Sequence, residues 1–353
     1  MVEVKKRNIN LDLIRFVAIL SVISVHFIRN IGFYGVPING IWLSMAAFFR
    51  TFFMVCVPLF LLLTGYLMNK KELSKGYYLG IFRIIFIFLS AKLIYLLIDN
   101  FYFHNIDSFT TVLRHIFSYS NVAYYDDYSW YVNMYFGLFL LIPFLNLIYN
   151  NLKTKKQKHI LILTLLFLTS VSSLNVKNIT FIPDWWGGIY PLTYYFIGAY
   201  IKEYGFNLKK HFSLISIILI TLISSIFYLI LSYNKLFITR EFNDYRGPIN
   251  FILSILVFGF LLNLDLSKIS AKVKSFIIKV SELSFGMYLF SYIIDKVVYD
   301  KLNSLILEIN NRFIYGLIII PLVFFVSLVL SWIFNRIYSQ YIHPKLQRKF
   351  NNE

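Results

Sequence analysis

The sequence predicts an all-α protein, a polytopic transmembrane helical bundle of about ten spans with both termini in the cytoplasm. Three observations predict it: the composition, the recurrence of long apolar runs, and the alternation of positive charge between them. Of 353 residues, 58% are hydrophobic and only 14% charged, where a soluble domain carries roughly a quarter. The solvent for most of the chain is therefore lipid. The apolar runs continue along the whole length, so residues 1–353 read as one integral membrane domain with no soluble domain attached.

A helical crossing needs about 20 apolar residues. The first run, LDLIRFVAILSVISVHFIR, places a span at 11–29. The second covers 46–68 and closes on VPLFLLLTGYLM, and the third covers 79–98. After a long polar and aromatic interval, WYVNMYFGLFLLIPFL opens the fourth, at 129–149. The fifth (159–174) and sixth (187–204) are short or interrupted. The last four follow at 212–232, 248–265, 281–300 and 313–338.

Charge supplies the direction. Alternate connections hold 20 Lys and Arg residues, from Lys5, Lys6 and Arg7 through to Lys345, Arg348 and Lys349. The opposite connections hold 7: Arg114, Lys177, Lys235, Arg240, Arg246, Lys301 and Arg312. That bias follows the positive-inside rule. It also accounts for the net charge of +17 without nucleic acid as a partner. The single cysteine, Cys56, sits in an apolar run, so no disulfide framework exists. The first apolar stretch lacks a small-residue cleavage site, so no cleavable signal peptide is expected.

The interval 99–128 contains Asp107, Asp126, Asp127, His104, His115 and many tyrosines. It reads either as a solvated cap with interfacial aromatics or as a platform for sugar hydroxyls.

Seven basic residues fall inside the spans: Arg15, Arg29, Arg50, Arg83, Lys92, Lys296 and Arg336. Each costs about 2.5–3.5 kcal/mol at mid-helix on insertion scales. Arg29, Arg50 and Arg336 are near span ends, where they can snorkel. Lys92 and Lys296 lie deeper. In the first span, Arg15 and His26 are eleven residues apart, which returns them to within about 20° on a helix, about 16 Å apart along it. Asp12 lies about 40° off the same line.

The plain reading makes Asp12 a helix cap, Arg15 a snorkelling anchor and His26 a hydrogen-bonded packing histidine. The functional reading makes one stripe, with Arg15 at an inner mouth suited to phosphates and His26 deeper as a base. Arg83, at the inner start of the third span, is either a second phosphate contact or a positive-inside anchor.

This stripe, Asp12-Leu13-Ile14-Arg15 followed by His26, resembles the acyltransferase-3 family of integral membrane acyltransferases. VPLFLLLTGYLM is similar to that family's second-span signature, with Thr64-Gly65-Tyr66 where Ser-Gly-Tyr is usual. WYVNMYFGLFLLIPFL, YPLTYYFIGAYI and SFGMYLFSYIID resemble later spans, the last closest to the surface-polysaccharide O-acetyltransferase branch. The resemblance covers essentially the whole chain. It implies an acyl-coenzyme A donor, usually acetyl-CoA, bound from the cytoplasm as a substrate, with no permanently bound cofactor. It implies an acceptor hydroxyl on an envelope glycan or its lipid-linked precursor.

Carried over, it makes His26 the base or acyl relay, Arg15 the donor contact and Asp12 the group that orients Arg15. Two departures stand out. A paired arginine at the third span is reduced to Arg83 by Gly80, and Ser291 stands where many members have a histidine after Gly286-x-Tyr288. Tyr66, Trp130 and Tyr288 carry O–H or N–H groups suited to an oxyanion or a sugar, and with Ser291 they form the candidate substrate contacts. Packing is the plainer role for each aromatic alone.

No metal site is expected, because the histidines are scattered and none pairs with the cysteine. The expected function is transfer of an acyl group from acyl-CoA to a surface glycan, at a bacterial cell membrane crossed several times. The alternatives are a flippase or exporter, which would favour broken helices in matching halves, and a polymerase or ligase using the outer interval at 99–128.

Overall fold

A computed structural model describes residues 7–102, 128–175, 179–238 and 244–345. The interval 103–127, with its candidate sugar-binding acids and histidines, lies outside the described residues. The architecture is an all-helical membrane bundle. Among the described residues the extended pairing amounts to two isolated bridges, Pro37 with Leu236 and Ile38 with Tyr233.

The helices in order are α1 (Ile9–Asn30), α2 (Gly40–Phe53), α3 (Cys56–Met68), α4 (Ile81–Phe101), α5 (Trp130–Asn151) and α6 (Lys155–Ser172). They continue with α7 (Tyr190–Tyr204), α8 (Lys210–Ser232), α9 (Pro248–Leu262), α10 (Ala271–Leu305) and α11 (Gly316–Ile337). Every sequence-predicted span coincides with one of them or with a pair. Seven segments are long and apolar enough to cross a membrane: Ile9–Gly35, Gly40–Met68, Lys75–Phe101, Trp130–Asn151, Lys210–Ser232, Ala271–Leu305 and Ile309–Lys345. The other three fall short of the expected length. Helices α7 and α9 have 15 residues each, about 22 Å of helix against about 30 Å of hydrocarbon. In α6 the first turn carries Lys155, Lys156 and Lys158, which leaves too short an apolar remainder.

The predicted second span is two helices rather than one. Pro58 lacks the N–H that would bond to the carbonyl of Met54, and the helix breaks at Met54–Val55. In the first turn of α3 the same proline is harmless.

The bundle is organised around α1, which packs on α2, α3, α9, α10 and α11 and buries Ile14, Ala18, Ile19, Val22 and Ile23. Helices α3 and α7 approach backbone to backbone. A Cβ added to Gly65 would collide with the carbonyl of Tyr195, and one added to Gly198 with the carbonyl of Leu62. Small residues at such contacts are how membrane helices gain close packing without a hydrophobic driving force. Helix α10 leans on α11 through Ser331, whose Oγ donates to the Leu283 carbonyl at 2.8 Å.

Several charges behave differently from their sequence positions. Arg50 does not snorkel: it is buried, and its Nε donates to the Tyr34 hydroxyl at 2.9 Å, with its guanidinium 5.3 Å from the Phe237 ring. Arg312 is not a free loop charge but holds the carbonyls of Ile31, Asn303, Ile306 and Leu307. Lys158 folds inward to Glu203, at 2.6 and 2.7 Å from its two oxygens. In each case polar partners supplied by the fold replace the water or lipid headgroup that position alone suggests.

Candidate active site

The side chain of Asn8, rather than that of Asp12, caps α1 by accepting from the Asn10 N–H at 3.0 Å. Asp12 lies inside the first turn and is buried. Its carboxylate takes two N–H bonds from Arg7, from Nε and Nη2 at 2.8 Å each, and a third from Ser281 Oγ at 2.7 Å. Arg15 points the same way, with Nη1 at 3.2 Å from Ser281 Oγ and 3.6 Å from Asp12 Oδ1. The bonds to Asp12 hold the Arg7 guanidinium above its ordinary value, against the opposing effect of its own burial. Arg15 is therefore not a lipid-facing anchor. It belongs to a fixed cluster joining the start of α1 to α10.

A third guanidinium closes the group. Arg83, near the start of α4, donates from Nη2 to the Glu282 carbonyl at 3.0 Å and from Nε to Asn335 Oδ1 at 3.1 Å. The Glu282 carboxylate accepts from Arg7 Nη1 at 2.5 Å. Three arginines thus converge on the Ser281–Glu282 turn of α10. Two carboxylates among them leave surplus positive charge, the arrangement that receives multiply charged phosphate groups.

From this cluster a cavity of about 440 Å³ runs into the bundle. Arg7, Arg15, Arg83, Ser281 and Glu282 line its polar end. Its walls are apolar, with Val22, Val57, Phe60, Leu63 and Ile87, and Tyr131, Tyr135 and Tyr288 also line it. The shape is a charged mouth on an apolar and phenolic channel.

His26 lies beside one of those rings, Tyr288, and against Tyr128. Its imidazole stacks on Tyr128, centroids 3.6 Å apart at 24°, and stands 6.1 Å from the Tyr288 ring. The Tyr288 ring in turn packs edge-on to Tyr131 at 5.3 Å. His26 Nδ1 is buried with no hydrogen-bond partner, so His26 is not the fully satisfied packing histidine of the plain reading. A buried nitrogen left unpaired costs free energy, and a reacting group that needs a proton acceptor would use it.

The sequence-predicted residues divide into two sets. Arg15, Arg83 and Tyr288 line the cavity. Asp12 touches it through Arg15 and Ser281, and His26 borders it through Tyr288. The structure does not bring the other three there. Tyr66 packs on Phe258 with Lys202 over its ring at 4.6 Å. Trp130 stacks on Tyr245 at 5.8 Å. Ser291 is fully buried and donates to the Tyr288 carbonyl of its own helix at 2.8 Å. The Tyr288 hydroxyl is itself engaged, donating to the Tyr128 carbonyl.

Sequence reasoning missed Arg7, Glu282, Tyr131 and Tyr135. By position Arg7 is a loop charge, and the tyrosines are indistinguishable from belt aromatics. Glu282 had a signal: an acid inside a predicted span deserves the same scrutiny as a base. Among the described residues no group of three His, Cys, Asp or Glu could hold a metal ion.

No curated protein and no solved structure matches the chain. A family model described as an acyltransferase domain matches residues 8–336, which includes the cavity, the three-arginine mouth except Arg7, and the histidine beside it. With nearly the whole chain covered, this multi-pass helical membrane protein belongs to the acyltransferase-3 family of membrane acyltransferases.

Proposed function

We propose that the protein takes an acyl group, acetyl in the first instance, from cytoplasmic acyl-CoA. The acceptor is a hydroxyl of a cell-surface polysaccharide or of its lipid-linked precursor, at the bacterial cell membrane. One observation carries the reading: a single cavity leads from three guanidinium groups to the Tyr288 ring, which stands 6.1 Å from the ring of a histidine whose Nδ1 is unpaired. The basic run Lys5, Lys6 and Arg7 beside the start of α1, and the 20-to-7 bias of loop charge, support a cytoplasmic arginine mouth.

The phosphates of the donor bind Arg15, Arg83 and Arg7, and the pantetheine arm carries the thioester along the apolar channel toward Tyr288. The acceptor oxygen attacks the thioester carbonyl carbon as His26 removes its proton. The C–O bond forms, the C–S bond breaks, and the proton passes to the departing thiolate. The thioester is already activated, so a base and donors for the oxyanion suffice. Tyr131 and Tyr135, which line the same channel, carry hydroxyls suited to the second task.

The test supplies radiolabelled acetyl-CoA to the purified protein and follows coenzyme A release and label on a crude surface glycan. A folded protein that neither binds nor consumes acetyl-CoA or longer acyl-CoA donors overturns the reading. The donor site is tested separately. Arg15→Gln and Arg83→Gln each remove a charged hydrogen bond worth about 1.5–3 kcal/mol, so KM for acyl-CoA is expected to rise roughly tenfold or more with kcat little changed. Asp12 remains paired with Arg7 in Arg15→Gln, which keeps the start of α1 in place.

A further inference from the structure

Asp295 lies in α10, inside the membrane-spanning part, and the mechanism above makes no use of it. It is buried, and its carboxylate Oδ2 accepts from the Tyr128 hydroxyl at 2.7 Å. Burying an acid in a membrane helix is costly, and an aliphatic residue would fill the same space without that cost. What the acid holds is a single ring. Tyr128 is also gripped by Asn30, whose Nδ2 donates to the same hydroxyl at 3.1 Å. Its backbone carbonyl is fixed by Tyr288. Burial first, and Asp295 next, push the Tyr128 hydroxyl well above the ordinary phenol range, so it remains a donor.

The held ring covers one face of the His26 imidazole. A buried histidine ordinarily has its orientation fixed by a hydrogen bond to a carbonyl or carboxylate. Here Nδ1 has none, and a stacked aromatic face takes that place. The base is held in position without using the nitrogen that must accept the proton.

We infer that Asp295 and Tyr128 are positioning residues for His26: the Asp295–Tyr128 hydrogen bond holds a ring that orients the imidazole and keeps water from it. The inference rests on the acyltransferase reading above and adds to it a division between productive transfer and leakage. Water in place of the acceptor hydroxyl attacks the same carbonyl carbon. The C–S bond breaks, and free acid and coenzyme A leave. A loosened ring admits that reaction.

The experiment compares wild type with Asp295→Leu, Asp295→Asn and Tyr128→Phe in detergent-purified full-length protein. It reads three quantities: kcat and KM for acetyl-CoA with a glycan acceptor, coenzyme A release without acceptor, and carbethoxylation of His26 by diethylpyrocarbonate, followed by peptide mass spectrometry. Asp295→Leu is expected to lower kcat for transfer about tenfold or more through misplacement of the base, with KM unchanged. The ratio of acceptor-free hydrolysis to transfer should rise, and His26 should modify faster.

Tyr128→Phe keeps the ring and should move every readout the same way by less. Asp295→Asn keeps an acceptor for the Tyr128 hydroxyl and should restore near-wild-type values. A folded Tyr128→Phe with unaltered His26 modification and an unaltered hydrolysis ratio overturns the inference. So does a change confined to KM, or an Asn variant as impaired as the Leu variant. Absence of acetyl-CoA consumption by wild type would instead remove the functional reading. The modification rate still reports on the ring in that case, because it needs no donor.

Discussion

His26→Ala is expected to reduce acyl transfer by about 10²–10⁴-fold, the usual contribution of a positioned general base. Affinity for acyl-CoA should stay within about twofold of wild type. The split follows from distance: in the proposed mechanism the phosphates meet the arginines at the cavity's polar end, whereas His26 borders the cavity through Tyr288. Arg15 and His26 are eleven positions apart on α1, about 16 Å along the helix. Binding of coenzyme A to the variant, measured by calorimetry, separates loss of chemistry from loss of fold. His26→Asn, which keeps a polar side chain of similar shape beside Tyr128, guards against a cavity artefact and should be equally inactive. Full turnover in both variants would remove His26 from the mechanism.

The second large effect concerns stability. Gly65→Ala and Gly198→Ala each place a methyl group against backbone of the facing helix, at the Tyr195 and Leu62 carbonyls. Backbone cannot rotate out of the way as a side-chain tip does, so α3 and α7 must separate. Overpacking of this kind costs several kcal/mol where neither side can yield. Both variants should lose most of their monodisperse yield in detergent and melt well below wild type. The contrast is Gly137→Ala in α5, where a Cβ meets nothing within 4 Å and alanine favours helix by up to about 1 kcal/mol. Equal melting temperatures for the Gly65 and Gly137 variants would mean the α3–α7 contact is looser than described.

Much of this was legible from composition and periodicity. The apolar runs locate the helices because lipid forces backbone polar groups to pair within each segment. The Asp12–Arg15–His26 stripe is visible because helical repeat is local geometry. Other features depend on contacts far apart in the chain. Arg7 looks like one more positive-inside charge until Asp12 and Glu282 are seen to hold it. Tyr128 falls at the end of a polar interval, and only the fold brings it over His26. The sequence placed Tyr66, Trp130 and Ser291 near the chemistry because family-like motifs include them, and motif membership does not separate packing from contact. In the sequence α7 and α9 read as longer spans than the 15 residues each helix occupies, because hydropathy over a window does not reveal where a helix stops.

Helix α10 has 35 residues, about 52 Å of helix, against a hydrocarbon core of about 30 Å. Its first ten residues carry Lys272, Lys274 and Lys279, so at this end the helix extends beyond the lipid. Ser281 and Glu282 follow directly. The three guanidinium groups therefore gather where the dielectric constant falls, and attraction for a polyanion is several times stronger there than on an open surface. Mobile salt screens the more enclosed Arg15 less than the half-exposed Arg7 at the rim. Raising ionic strength from 0.05 to 0.5 M, roughly a threefold drop in screening length, should change KM for acyl-CoA much less than it would at an open, basic surface site.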